Sequence, residues 1–115
     1  MDTNSEPELG LSLSTSGSYA VVAVNGEIDM YTAPQLRDAV NDTVTKGYTN
    51  IAVDLSGVDF CDSTGLGVLV GARRNLTRRG GHLVVVAANS RIEKLLQLTG
   101  LNVVLDVRET VPESE

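Results

Sequence analysis

Asp62-Ser63-Thr64-Gly65-Leu66-Gly67 marks the point where the sequence changes from the pattern of a strand to that of a helix. Before it, Ile51–Leu55 is a short apolar run, which is typical of a buried strand. After it, apolar residues recur at helical spacing up to Gly80-Gly81: Leu66, Leu69, Val70 and Leu76. The hydroxyl of Ser63 therefore lies where a strand gives way to a helix. There it could serve as a helix cap, a nucleophile or a phosphate acceptor.

Toward the N-terminus, two apolar runs predict an antiparallel hairpin. Leu9, Leu11 and Leu13 alternate with small or polar residues, and Tyr19–Val24 follows after the turn-forming cluster Ser14–Ser18. A tight turn between two such runs joins neighbouring strands, so the fold is expected to begin with two strands.

Two further helices have recognisable starts. Thr32-Ala33-Pro34-Gln35 has the pattern of a capping box with an early proline, and it opens a helix that ends at Gly47. Ser90-Arg91-Ile92-Glu93 has the pattern of a second capping box, and it opens a helix that ends at Gly100.

Leu83–Ala87 and Val103–Leu105 are predicted as the remaining strands, so the element order is β-β-α-β-α-β-α-β. Successive strand-helix-strand units imply parallel strands joined by right-handed crossovers. We therefore predict an α/β fold with a single mixed, mostly parallel β-sheet, an N-terminal antiparallel hairpin and three crossover helices. In such a sheet the loops Asn25–Thr32, Ser56–Ser63 and Ala88–Ser90 meet at one edge, where α/β proteins usually place their sites.

One domain, covering about residues 9–107, accounts for every periodic segment. A chain of 115 residues can bury a single core and is too short for two. Residues 1–8 and 108–115 are polar and have no periodic apolar face, so both are predicted to be mobile tails.

Composition and charge disfavour several function classes. The net charge is -6 and the aromatic residues are three tyrosines and one phenylalanine, which argues against nucleic-acid binding. The N-terminus lacks signal-peptide features and the longest apolar run, Leu83–Ala88, is too short to cross a membrane, so a cytoplasmic protein without membrane association is predicted. The single cysteine, Cys61, and the single histidine, His82, make a zinc site implausible, and no metal or other cofactor is predicted.

Enzyme mechanisms at Ser63 meet several obstacles. The glycine that a hydrolase elbow places two residues before its serine is replaced by Cys61. A helix of roughly sixteen residues puts His82 about 24 Å from the serine, at the other edge of the sheet. Gly65-Leu66-Gly67 opens a helix as a dinucleotide fingerprint does, but the third glycine, Gly71, comes one position late. The chain is therefore predicted not to be an enzyme.

A helix cap and a phosphate acceptor remain as roles at this junction. Asp62 or Ser63 could satisfy free N–H groups in the first helical turn as an N-cap. The same N–H groups and the positive end of the helix dipole favour an anion, so the fold would tolerate a phosphoserine. A phosphate would add about -1.5 to -2 charges, which a partner docking on that edge would sense.

The motif resembles the STAS-domain anti-sigma factor antagonists of bacteria, and the resemblance covers about residues 9–107. It runs through Gly26–Asp29, Thr32–Pro34, Val53–Leu55, Phe60–Gly67 and Leu98–Leu101. The family implies a STAS fold, which agrees with the predicted element order. It also implies that the chain itself holds no ATP, which agrees with the missing phosphate-binding loop.

The resemblance implies a protein-binding switch in transcription regulation. Ser63 would be phosphorylated by a cognate anti-sigma factor that is itself an ATP-dependent serine kinase, with Thr64 as a secondary acceptor, and a PP2C-type phosphatase would remove the phosphate. The unphosphorylated chain would bind the anti-sigma factor and free its sigma factor, whereas phosphorylation at Ser63 would abolish binding. The matching motifs give the following partner-facing residues: Asp29, Thr32, Ala33, Pro34, Asp62, Ser63, Thr64, Leu66 and Gly67.

Some alternatives stay open at this point. The chain could be an accessory STAS scaffold subunit of a transport or signalling assembly, with Ser63 only a helix cap. Asp29 could stabilise its own turn instead of contacting a partner. Cys61 could be a redox sensor or a small buried hydrophobe. The oligomeric state is predicted as a monomer or a weak dimer.

Overall fold

A single five-stranded sheet organises the chain, with its strands in the order β1-β2-β3-β4-β5. The structure, a computed structural model, describes residues 8–112. Almost all of the predicted tail at residues 1–8, and residues 113–115 of the predicted C-terminal tail, lie outside the described residues. The strands are β1 (Gly10–Ser16), β2 (Tyr19–Ile28), β3 (Asn50–Cys61), β4 (His82–Val86) and β5 (Asp106–Arg108). The helices are α1 (Ala33–Thr45), α2 (Ser63–Arg78), α3 (Ser90–Thr99) and α4 (Leu101–Val104).

β1 and β2 form the predicted antiparallel hairpin, and every later pair of neighbouring strands is parallel. Gly17, with a φ of 59°, takes the first position of the two-residue turn between Ser16 and Tyr19, where a left-handed residue matches the twist of the strands. Helices α1 and α2 lie in the crossovers from β2 to β3 and from β3 to β4. The predicted fold class, an α/β fold with a mixed and mostly parallel sheet, is confirmed.

The three long helices cover the same face of the sheet. Alternate residues of β2, β3 and β4 belong to the larger core, which also contains apolar side chains of α1, α2 and α3. The residues between them point to the opposite face and form a smaller cluster, against which Tyr19 and Val111 pack: Val21, Ala52, Val84 and Val86. Because successive residues of a strand point to opposite faces, each of these strands contributes side chains to the larger core and to the smaller cluster.

The last strand differs from the sequence prediction. Val103–Leu105 is predicted as a strand, but Leu101–Val104 is the short helix α4, and the strand that pairs with β4 is Asp106–Arg108. Val103 is 85% exposed and Leu105 is 3% exposed, while Leu101 packs against the core. Burial therefore follows the four-residue spacing of a helix and not the alternation of a strand. Gly100, with a φ of 77°, ends α3 as predicted and also opens α4.

The helix starts also differ from the predicted capping boxes. Thr32 precedes α1 without capping it, because its hydroxyl donates to the carbonyl of Glu27 at 2.8 Å and accepts the N–H of Asp29 at 2.9 Å. α3 is capped by Asn89, whose side-chain oxygen accepts the N–H of Arg91 at 2.9 Å. Both differences arise because short polar side chains near a helix start have several backbone partners, which sequence spacing does not rank.

β2 and β3 continue beyond the rest of the sheet and carry the candidate site. β3 pairs with β4 only as far as Asp54, but it pairs with β2 up to Cys61, which lies opposite Ile28. We term this extension, Asn25–Ile28 with Gly57–Cys61, the β2–β3 ribbon. Its register shifts as it would at a bulge, where strand twist increases. The prediction of loops over Asn25–Thr32 and Ser56–Ser63 is therefore wrong for residues 25–28 and 56–61, which belong to β2 and β3.

Gly65 sets how closely α2 approaches this ribbon. A Cβ atom at Gly65 would lie 2.5 Å from Cγ2 of Ile28 and 2.7 Å from Sγ of Cys61, and both neighbours are buried. We expect Gly65→Ala to lower the free energy of unfolding by about 1–3 kcal/mol, because packed side chains and backbone must shift to admit the methyl group. Urea denaturation followed by circular dichroism measures this loss.

Gly67→Ala is the matched control, two residues further along the same helix. Apart from its chain neighbours and the backbone of its own helix, a Cβ atom at Gly67 would have no atom of residues 8–112 within 4 Å. Since glycine is a poor helix former, this variant should be more stable than the wild type by about 0.5–1 kcal/mol. Equal changes in the two variants would contradict the packing role of Gly65.

Asp106 ties β5 to β4 through its carboxylate. Nε of Arg108 donates to Oδ1 of Asp106 at 2.7 Å, and Nε2 of His82 lies 2.7 Å from Oδ2. The hydrogen bond from Arg108, and then that with His82, hold the pKa of Asp106 below its usual value. A carboxyl group with a lowered pKa stabilises the fold above its unfolded-state pKa, and this contribution is lost as the pH falls through the folded-state pKa.

We therefore expect Asp106→Asn to lower the free energy of unfolding by up to about 1 kcal/mol near neutral pH, as for other partly exposed ion pairs. The difference between variant and wild type should shrink as the pH falls below about 4. Urea denaturation of both proteins across this pH range measures it. A difference that stays the same at every pH would show that the ion pairs of Asp106 do not stabilise the fold.

Candidate functional site

A backbone hydrogen bond joins the ends of β2 and β3 at the site. The N–H of Asp62 donates to the carbonyl of Ile28 at 3.0 Å, just beyond the last pair of the ribbon. The loop that follows β2 and the start of α2 therefore lie side by side. This arrangement places Asp29 and Ser63 in neighbouring segments, as expected from parallel strands that lead into helices.

The segment that follows β4 is attached to the same ribbon. The side-chain amide of Asn89 donates to the carbonyl of Val58 at 2.7 Å, and Nη1 of Arg91 donates to the carbonyl of Asp59 at 3.2 Å. β3 lies between β2 and β4 in the sheet, so Ser63 at its end is flanked by both other segments. The structure brings together the three segments that the sequence predicts at one edge.

Asp62 is the N-cap of α2, so the hydroxyl of Ser63 does not cap the helix. Its backbone is extended, with φ -96° and ψ -173°, and its Oδ1 accepts the N–H of Thr64 at 2.9 Å and that of Gly65 at 3.2 Å. Ser63 is the first residue of α2 and is exposed, and its hydroxyl has no hydrogen-bond partner among residues 8–112. Of the two residues predicted as possible caps, Asp62 is the cap and Ser63 is not.

Asp29 organises the loop between β2 and α1. Its Oδ1 accepts the N–H of Tyr31 at 2.9 Å and that of Thr32 at 3.0 Å, and its carbonyl accepts the N–H of Ala33 at 2.8 Å. The hydroxyl of Thr32 donates to the carbonyl of Glu27 and so connects the two ends of this loop. The interpretation that Asp29 stabilises its own turn is confirmed by these bonds.

The residues expected on the partner-facing surface divide into two groups. Thr32, Ala33 and Leu66 are 2%, 1% and 7% exposed, so their side chains offer a partner little surface and hold the loop and α2 in place instead. Ser63, Thr64 and Gly67 are exposed, and Asp29, Pro34 and Asp62 are partly buried. The accessible part of the expected surface is therefore the first turn of α2 and the loop beside it.

Large apolar side chains are exposed in the segments next to the serine, and sequence reasoning does not single them out. Met30 and Tyr31 are 63% and 68% exposed in the loop that Asp29 organises, and Phe60, three residues before Ser63, is 51% exposed. Apolar residues exposed together at one edge are a common feature of contact surfaces. Their signal in the sequence is that two of the four aromatic residues fall in segments predicted to meet.

Two grooves open beside the start of α2. One has a volume of about 270 Å³ between the ribbon and α3, and it is lined by Phe60, Leu95 and Leu98 together with Arg91. The other has a volume of about 420 Å³ between α1 and α2, and it is bordered by Thr64 and Gly67. The surface around the exposed residues of α2 is therefore grooved and not flat.

Cys61 lies two residues before Ser63 and has a thiol of low reactivity. It is 4% exposed, and burial, followed by the negative charge of Asp62, raises the pKa of its thiol to about 12. Because the thiolate is the reactive form, a thiol with this pKa reacts slowly near neutral pH. The geometry favours the buried hydrophobe over the redox sensor.

His82 lies away from the site. It opens β4 opposite Asn50, at the strand ends that face away from Ser63, and its ring contacts Asp106. Within residues 8–112, no group of three histidine, cysteine or acidic side chains could hold a metal ion. The helices of this range are too short or too polar to span a membrane.

Known proteins share this sequence pattern. A sequence model of the STAS domain matches residues 11–114. The anti-sigma-B factor antagonist of Listeria monocytogenes is 37% identical over 92 residues, which cover 80% of this chain and 81% of the relative. The anti-sigma-B factor antagonist of Staphylococcus aureus is 34% identical over 101 residues, which cover 88% of this chain and 94% of the relative.

Solved structures share the fold. An anti-sigma factor antagonist from Mycobacterium paratuberculosis superposes with a TM-score of 0.80 and 32% identity, covering 90% of this chain and 87% of that one. The phosphorylated form of SpoIIAA from Bacillus superposes with a TM-score of 0.64 and 23% identity, covering 85% of this chain and 90% of that one, which shows the same fold. The STAS model matches most of this chain, and the sequence identity to the relatives extends over most of both chains. Together they identify the family. This chain belongs to the STAS domain family, and its relatives are anti-sigma factor antagonists.

Proposed function

We propose that this chain is an anti-sigma factor antagonist whose binding is controlled by phosphorylation of Ser63. The unphosphorylated form binds an anti-sigma factor that is also a serine kinase, and it thereby releases a sigma factor for transcription in the cytoplasm. Phosphorylation abolishes this binding, and a PP2C-type phosphatase restores it. The observation that carries the proposal is the hydroxyl of Ser63, which is exposed and relieved of capping by Asp62.

The start of α2 can accept a phosphate without unfolding. The positive end of the helix dipole favours an anion in the first turn. The carboxylate of Asp62 already accepts two N–H groups of this turn, and its negative charge opposes a second anion. Since Ser63 is exposed, its phosphate would project into solvent and would replace no bond of the fold.

The neighbouring side chains explain why a phosphate at this position would block docking. Met30, Tyr31 and Phe60 provide apolar surface that loses water when a partner covers it. A phosphate among them would bring about -1.5 to -2 charges into the same interface, next to Asp62. Burying that charge without a paired cation is costly, so the partner would dissociate.

In this mechanism the chain is a substrate and a binding partner, and the kinase supplies the ATP and the catalytic groups. The scaffold alternative assigns Ser63 the role of a helix cap. Because Asp62 is the cap, no observation on this chain favours that alternative.

Phosphorylation can be tested directly by intact-mass measurement. The wild type, Ser63→Ala and Thr64→Ala are each incubated with candidate kinase-type anti-sigma factors of the host and ATP. We expect the wild type and Thr64→Ala to gain the mass of one phosphate and Ser63→Ala to gain none. Modification of Ser63→Ala at the wild-type rate would refute Ser63 as the acceptor.

The charge effect can be tested without the kinase reaction. We expect Ser63→Asp to unfold cooperatively with a stability within about 0.5 kcal/mol of the wild type, because the helix start tolerates an anion. Its affinity for the anti-sigma factor should fall at least about tenfold, which corresponds to about 1.4 kcal/mol. Calorimetry measures the affinity, and circular dichroism measures the unfolding.

Ser90→Asp provides a control matched in helix position. Ser90 is exposed and is the first residue of α3, which is capped by Asn89 just as α2 is capped by Asp62. This variant adds the same charge at an equivalent helix start and should lower the affinity less than Ser63→Asp does. Equal losses of affinity would show that added charge at this edge of the sheet, and not the position of Ser63 in particular, controls binding.

A further inference from the structure

The two edges of the sheet differ in how they are protected. β5 is a three-residue edge strand that carries Asp106 and Arg108. β1, the other edge strand, has seven residues, and it contains no charged residue and no proline. All seven residues of β1 are exposed, and within residues 8–112 β1 pairs only with β2. Long neutral edges are the ones open to pairing with another strand, and proteins usually block them with charges or proline.

The hairpin register determines which backbone groups of β1 face its free edge. Ser16 and Tyr19 flank a two-residue turn and form a hydrogen-bonded pair, and such pairs alternate with non-hydrogen-bonded pairs along antiparallel strands. The pairs that bond to β2 therefore involve Gly10 and the three serines of β1. The remaining residues direct their N–H and C=O groups to the free edge: Leu11, Leu13 and Thr15.

Two apolar side chains of β1 are only partly covered at this edge. Leu13 lies opposite Val22, on the face that the helices cover, but Leu11 and Leu13 are still 38% and 43% exposed. Both leucines border a groove of about 180 Å³ against α1, which also includes Asp42 and Lys46, two residues of opposite charge. The edge therefore combines unpaired backbone groups with partly exposed apolar side chains, and the two charged residues beside it have opposite signs.

We propose that two copies of this chain pair through β1, antiparallel across a two-fold axis, to form one continuous sheet. A second copy fits because β1 is neutral, so two chains of net charge -6 can approach here without bringing like charges together. An antiparallel pairing of a strand with itself is also self-complementary, as a two-fold interface requires.

One register satisfies all the outward groups. With the axis at Leu13, this residue pairs with Leu13 of the partner subunit, and Leu11 pairs with Thr15 of the partner subunit. Each hydrogen-bonded pair exchanges two bonds, so the three pairs form about six hydrogen bonds. A shift of the axis to a neighbouring residue leaves part of these groups unpaired.

The size of the contact sets its strength. One strand and two leucines from each copy bury less surface than the roughly 1,200–2,000 Å² of a stable interface. The dimer is therefore weak and depends on concentration, with a dissociation constant of about 10 μM or higher. The proposal uses no part of the surface around Ser63, so it stands independently of the proposed function.

Sedimentation equilibrium of the full chain, from about 10 μM to 1 mM, tests the association. We expect a monomer–dimer equilibrium in the wild type. Leu13→Lys, which places two like charges opposite each other at the axis, should raise the dissociation constant at least about tenfold. Val103→Lys makes the same kind of change at an exposed position of α4 and should leave the dissociation constant unchanged.

Hydrogen exchange of the wild type gives a second measurement that needs no variant. As the concentration rises, the amides of Leu11, Leu13 and Thr15 should become protected, whereas those of Ser12 and Ser14 should be protected throughout. A chain that stays monomeric up to 1 mM would overturn the proposal. A dimer in which the three outward amides still exchange freely, or one that Val103→Lys disrupts as strongly as Leu13→Lys, would do so as well.

Discussion

The pairing of β2 with β3 beyond the end of β4 is the constraint on which the site depends. It carries the loop of Asp29 and the start of α2 to the same place, and the hydrogen bond from Asp62 to Ile28 closes it. Gly65 keeps α2 close to the ribbon, because a side chain at this position would collide with the buried side chains of Ile28 and Cys61. The position of Ser63 is therefore set by packing that lies beneath it.

Two adjacent residues have separate roles at the start of α2, with Asp62 as the cap and Ser63 as the proposed phosphate acceptor. Asp62 satisfies the N–H groups of the helix start, while Ser63 keeps its hydroxyl in solvent. A modification of Ser63 therefore changes the charge of the surface without removing a bond that holds the fold. If the serine were the cap, phosphorylation would alter the helix start and the docking surface together. In the proposed mechanism, this division lets the chain lose a partner while it keeps one fold.

Much of this arrangement is predictable from the sequence, because long periodic segments and parallel crossovers leave few topologies. The mixed sheet, the hairpin, the three long helices and the shared edge follow from those patterns. The end of the chain is harder to predict, since the run Val103–Leu105 is too short to distinguish the period of a strand from that of a helix. The β2–β3 ribbon is missed because the strand pairing continues through polar residues such as Asn25 and Glu27, which pair with Gly57 and Phe60. The exposed Met30 and Tyr31 are missed because periodicity describes cores and not contact surfaces.

The smaller apolar cluster on the face without helices determines where this domain can be cut or joined to another protein. Val111 packs on that cluster after the chain has left its last strand. A truncation after Arg108 would keep all five strands but would remove Val111 from the cluster that contains Ala52 and Val84. A fusion at that point would force the linker across the same apolar face. We therefore expect the practical boundary of the domain to lie beyond Val111, although residues 108–115 are polar in sequence.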